Sequence, residues 1–205
     1  VSSEFLIYLR LGFHHIADLA GYDHILFVTA LAIPYAARDW RRLLVLVTAF
    51  TVGHSVTLAL ATLRLVSVPS TLVEALIPAT ILVTAVMAWF ETRAGTSRPD
   101  HPHADVPPAT ATVPASRYLL ATLFGLIHGL GFSTYLRALL GEEESIALPL
   151  FAFNVGLELG QLLILAVVLT VGALVVRTGM DRRRWAQVLV GVTATLSLLL
   201  LLQRI

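Results

Sequence analysis

The sequence predicts an all-α protein, a polytopic transmembrane helix bundle of about six spans plus an N-terminal interfacial helix. Three observations lead there. Of the 205 residues, 57% are hydrophobic and 13% charged, where soluble domains average roughly 45–50% apolar and about 25% charged. Several apolar runs reach the roughly 20 residues with which a helix crosses a hydrocarbon core of about 30 Å. The arginines cluster in short segments between those runs.

Taken in order, residues 4–17 (EFLIYLRLGFHHIA) mix apolar side chains with Glu4, Arg10, His14 and His15, so 1–18 reads as an interfacial segment. Spans are expected over 19–37, 42–65, 72–91, 117–140, 147–176 and 184–203. Between the third and fourth, residues 93–116 carry Pro99, Pro102, Pro107, Pro108 and Pro114 without apolar periodicity. That stretch reads as a flexible cytoplasmic loop dividing a single transmembrane domain into two three-span halves. His101 and His103 within it read as solvated residues.

Arginines follow the first, third and fifth spans: Arg38, Arg41 and Arg42; Arg93, Arg98 and Arg117; Arg177, Arg182, Arg183 and Arg184. Arg10, Arg64, Arg137 and Arg204 fall on the other side. The positive-inside rule therefore puts both termini outside the cytoplasm, and the expected location is a bacterial inner membrane. No signal peptide is readable after Val1.

Composition also excludes chemistry. A net charge of +1, scattered between spans, gives no footprint for nucleic acid. There is no cysteine, hence no disulfide, thiolate metal site or cysteine nucleophile. Met87 and Met180 supply the only thioethers, which disfavours a soft Cu(I) pathway.

Ionisable residues inside spans are expensive, roughly 2.5–3.5 kcal/mol for an Asp at mid-bilayer, and usually face the bundle interior. Here they are Asp23 and His24 in span one, His54 in span two, Glu74 in span three, His128 in span four, and Glu158 with Asn154 and Gln161 in span five. Asn154, Glu158 and Gln161 share one helix face, as do Thr51, His54 and Ser55. Thr51, Ser55, Asn154 and Gln161 are expected as supporting partners, and Glu74 as a capping or interfacial residue. Gly125, Gly129 and Gly131 flank His128, and Gly156 and Gly160 flank Glu158; this small-residue spacing is expected to draw the two polar faces together. The expected centre opens outward. Imidazole nitrogen with carboxylate oxygen suits a divalent transition metal such as Zn, Ni or Co.

At these residues the chain resembles the HupE/UreJ family of integral membrane proteins. The resemblance is carried by GYDHILF (21–27), LVLVTAFTVGHSVTLALA (44–61), FGLIHGLGFS (124–133), FNVGLELGQL (153–162) and the DWRR loop at 39–42. Relatives occur with hydrogenase and urease systems, both nickel enzymes, and are regarded as nickel or cobalt permeases or accessory proteins. Carried over, the family's first-span histidine and Asp-His pair correspond to His15, Asp23 and His24. Phe124 and Gly131 stand where the nickel permeases have a histidine and a glutamate, so the match is closest to a divergent second branch.

Three functions follow as expectations. The first is a divalent-metal permease or delivery protein, with His14 and Asp18 on the access route and Asp23, His24, His54, His128, Glu158 and His15 holding the ion. The second is an intramembrane zinc-dependent hydrolase acting at the outer leaflet, with Glu158 or Asp23 as general base. The third is a structural polar clamp. Expected partners are the lipid bilayer, the metal ion, and either a second copy of the chain or a partner metalloenzyme system.

Overall fold

Long apolar runs in this chain become helices because nothing else satisfies their backbone in lipid. The computed structural model describes residues 2–94, 114–140 and 145–205. Among these are seven α-helices: α1 Ser2–Ala17, α2 Asp23–Ala32, α3 Trp40–Thr62, α4 Ser70–Ala94, α5 Ala115–Leu140, α6 Ala147–Arg177 and α7 Arg182–Arg204. A 3-10 turn, Ala37–Asp39, joins α2 to α3. No strand occurs among the described residues. The expected proline-rich loop with His101 and His103 lies almost wholly outside them.

Five helices, α3 to α7, are long and apolar enough to cross a membrane. Their outward faces carry large apolar side chains such as Val52, Phe90, Leu119, Val167, Leu174 and Leu199. In water such faces would demand covering partners; against acyl chains they need none. The chain is an integral membrane protein by this architecture.

The continuous first span expected over 19–37 is corrected. Only Asp23–Ala32 is helical there, and 10 residues rise about 15 Å, half a hydrocarbon core. The break has a local cause. Asp18 Oδ1 accepts the Ala20 N–H at 2.9 Å, so the side chain takes a donor the helix would need. Gly21 follows at once. α1 and α2 are instead laid end to end along α6. Gly12 of α1 meets the backbone of Phe153 and Leu157, and Gly160 of α6 meets Ile16, whereas Ala32 and Ile33 face Val168 and Leu169.

Three helix pairs account for most of the packing: α3 with α5, α1 with α6, and α4 with α7. The first two run parallel and are glycine seams. A methyl group at Gly53 would fall on the Thr122 carbonyl oxygen, and one at Gly125 on that of Phe50. At Gly156 it would fall on the Leu9 carbonyl oxygen. The small-residue seams of α5 and α6 thus face α3 and α1, not each other as expected. Spacing identifies a face, and the partner is chosen elsewhere.

α4 and α7 run antiparallel. Pro78, inside α4, lacks the N–H that would bond the Glu74 carbonyl four residues back. Arg204, at the end of α7, donates to that carbonyl oxygen at 3.3 Å. Ile33, Ala88, Ala186 and Val190 close the other end. That second end gathers the arginines, with Arg117 buried and paired to Glu91 through Nε at 2.7 Å.

Candidate metal centre

Four of the helices bring an imidazole to the middle of the bundle. His15 comes from the last turn of α1, His24 from the first turn of α2, His54 from α3 and His128 from α5. Ring centres lie 4.7 Å apart for His15–His24, 5.8 Å for His15–His54, 6.0 Å for His24–His54 and 5.1 Å for His24–His128. The interruption between α1 and α2 makes this possible. It turns the end of one helix and the start of the next towards the same point, so two histidines nine residues apart are neighbours.

The surroundings are aromatic. Phe132 packs on His15 at 4.0 Å between ring centres, Phe27 and Phe50 each lie 5.2 Å from His128, and Phe153 stacks on His54 at 6.5 Å. His54 and His128 are fully enclosed. Such a shell excludes water, so a polar atom without a protein partner stays unsatisfied. Nε2 of His15, Nε2 of His24, both ring nitrogens of His54 and Nδ1 of His128 are buried without a hydrogen bond.

His128 is the ring with a fixed orientation. Its Nε2 lies 2.9 Å from the Thr80 hydroxyl, which also bonds the Ile77 carbonyl at 2.7 Å. A hydroxyl has one proton, and the carbonyl can only accept. Thr80 therefore donates to Ile77 and accepts from His128, which carries its hydrogen on Nε2 and leaves a lone pair on the buried Nδ1. Groups that hydrogen-bond the far nitrogen of a ligating histidine set its tautomer at metal sites in the same way.

The two carboxylates expected at the centre are engaged by other partners. Asp23 pairs with Arg204 at 3.1 Å, and Glu158 accepts from Thr48 at 2.5 Å. Thr51 donates to Gln161 Oε1 at 2.8 Å, while Ser55 turns back to the Thr51 carbonyl at 2.6 Å. Asn154 keeps a buried Oδ1 without a partner. His14 and Asp18 are exposed on α1 and in the turn after it, flanking His15. Glu74 lies exposed in the first turns of α4, lining a polar cavity of about 120 Å³ with Ser70, Ser133 and Arg137.

Among the described residues, no three His, Asp or Glu side chains converge on one point as they stand. The donor set nevertheless fits an ion in kind. Three imidazoles on a tetrahedral ion, at metal–nitrogen distances of about 2.0–2.1 Å, have ring centres roughly 5 Å apart. The spacings of 4.7 to 6.0 Å among His15, His24 and His54 bracket that value. The unbonded nitrogens of these rings have no hydrogen bond to lose.

Sequence reasoning singled out all four histidines but not Thr80 or the aromatic shell. A signal for both was present. Phe124, His128 and Phe132 stand at four-residue intervals, as do Phe50 and His54, and Thr80 and Thr84 place hydroxyls in an apolar run one turn apart.

The family model described as HupE / UreJ protein covers residues 1–204. No curated protein matches the chain, and no solved structure does.

Proposed function

The chain belongs to the HupE/UreJ family, and from that premise we propose that it handles a divalent transition metal, as a permease or delivery protein whose cargo passes the intramembrane histidines. The observation that carries the reading is the meeting of His15, His24, His54 and His128 with five buried, unpaired ring nitrogens. Leaving such atoms unsatisfied costs about 1–3 kcal/mol each. A bundle needing only polar glue would have bonded them. Imidazole nitrogen suits Ni²⁺, Co²⁺ and Zn²⁺, and the family's association with nickel and cobalt uptake favours the first two.

The ion is read as cargo because, among the described residues, the carboxylates expected as general base have other partners. Glu158 is bonded to Thr48 and Asp23 to Arg204. In the proposed route the ion enters past His14 and Asp18 at the end opposite the arginines, is held by the four rings, and leaves towards the arginine-rich end. By the positive-inside rule that end faces the cytoplasm. The broken α1–α2 segment is where the rearrangement needed for release would occur, as at the discontinuous helices of other transporters.

The test combines binding and flux. Purified protein should bind Ni²⁺ or Co²⁺ weakly and exchangeably, and proteoliposomes should accumulate the ion. His54→Ala and His128→Ala should abolish both without unfolding the chain. Failure to bind or move Ni²⁺, Co²⁺ or Zn²⁺ would reject the reading, and tightly held stoichiometric metal without flux would point to catalysis.

A further inference from the structure

Between His128 and the arginine-rich end lies a short apolar passage. It starts against the imidazole: Phe27 lies 5.2 Å from the His128 ring and 6.2 Å from Phe124, centre to centre. Phe27 and Leu31 of α2, Met87 of α4, and Ala121 and Phe124 of α5 line a void of about 10 Å³ there, space for about one water. Thr84 lines it too, but its hydroxyl donates to the Thr80 carbonyl at 2.8 Å and is spent within α4. Apolar narrowings of this kind close pores by excluding water, and a hydrated divalent ion does not pass them.

Arg117 stands at the far end of the passage. It is 5% exposed; its Nε donates to Glu91 at 2.7 Å, and its Nη2 meets the second carboxylate oxygen. Two parallel contacts between a guanidinium and a carboxylate fix both groups in place. The pair joins the end of α4 to the start of α5. Tyr35, just beyond α2, has its ring centre 5.8 Å from the same guanidinium. All three helices that line the passage are thus tied together at its mouth.

We propose that the Arg117–Glu91 pair is the inner gate of the metal route, an inference that rests on the permease reading above. Shut, the pair holds α4 to α5 and presents a positive charge to a cation leaving His128. Parted, it offers the ion the Glu91 carboxylate instead. Placement argues for a gate over a brace. A pair that only joined helix ends would do so on the surface at little desolvation cost, whereas enclosing a guanidinium is expensive. α2 supplies the wall that can yield, since it is only 10 residues long and carries Phe27 and Leu31. Its shift away from α4 and α5 widens the passage once the pair parts.

The test exploits the absence of cysteine. Ala121→Cys, buried in the passage wall, should be protected from a small cationic methanethiosulfonate in purified, metal-free protein. Adding Arg117→Gln or Glu91→Gln should raise the rate of thiol modification about tenfold, because the charge-assisted bonds that hold the passage shut are gone. In proteoliposomes the two single changes should differ. Ni²⁺ flux should rise in Arg117→Gln, which leaves a carboxylate on the route, and be lost in Glu91→Gln, which leaves an unpaired buried cation there. Glu91 is exposed, so its variant keeps the experiment decisive should Arg117→Gln misfold. A mere brace would lower the unfolding temperature of both variants and leave the thiol protected below it; that result, or flux that moves the same way in both, would overturn the gate while Ni²⁺ binding by the histidines, measured in parallel, leaves the permease reading standing. A wild type that binds neither Ni²⁺ nor Co²⁺ would remove that reading and the gate with it.

Discussion

A buried imidazole with neither nitrogen bonded is a liability in any fold, and His54 is such a residue. Its replacement distinguishes binding from scaffolding. In metal-free protein His54→Leu should raise stability by about 1 kcal/mol, because it removes two unsatisfied atoms at similar volume. The same variant should lose the upward shift in thermal unfolding temperature that added Ni²⁺ or Co²⁺ gives the wild type. A purely structural histidine would show the reverse, a loss of stability with no change in metal response. Thr80 makes a second residue-scale case. Thr80→Val deletes the acceptor that holds the His128 proton on Nε2 and should weaken metal affinity about 10- to 100-fold, with folding intact and rescue by Thr80→Ser. Titration calorimetry reads both variants. At this scale the sequence was informative where the bilayer makes a residue expensive, hence the four histidines. It was silent about Thr80, whose hydroxyl can always return to its own helix and so costs little anywhere in a span.

At the scale of elements, five helices fall within a few residues of the apolar runs that predict them, since hydropathy measures what a long lipid-facing helix must supply. The split between α1 and α2 was not legible in this way. Averaged hydropathy across 19–37 is insensitive to one aspartate folding back on the Ala20 amide. Nor does glycine spacing name its partner. It marked α5 and α6 as closely packing, and the seams turn out to be α3 with α5 and α1 with α6. Gly125→Ala tests the first seam. A methyl group there meets the Phe50 carbonyl, two rigid backbones must separate, and unfolding in detergent should show a loss of about 1–3 kcal/mol. Gly191→Ala on α7, where nothing lies within 4 Å of the added carbon, should lose nothing and gain slightly from helix propensity.

For the whole molecule, the bundle segregates its arginines. Arg42, Arg93, Arg117, Arg177 and Arg182 lie at helix termini of one end, and Arg137 and Arg204 at those of the other. Under the proposed reading this asymmetry puts both termini outside the cytoplasm. The absence of cysteine makes this easy to check, because each introduced thiol is the sole label site. A membrane-impermeant maleimide added to intact cells should modify Ser67→Cys, in the α3–α4 link, and spare Thr178→Cys, between α6 and α7. The opposite pattern would invert the bundle and with it the proposed direction of metal movement.

The three tight pairs have a mechanical consequence. His15 belongs to the α1–α6 pair, His54 and His128 to the α3–α5 pair, and His24 to α2, which rests against α4, α6 and α7. Each pair is stitched along its length, but the pairs are joined to one another more sparingly. Under the proposed reading, an ion shared by these rings is a rivet through otherwise separable plates. Its arrival stiffens the assembly, and its departure frees the plates to slide. Occupancy is then felt as rigidity throughout the protein, and hydrogen exchange in helices far from the histidines becomes a gauge of whether the rivet is in place.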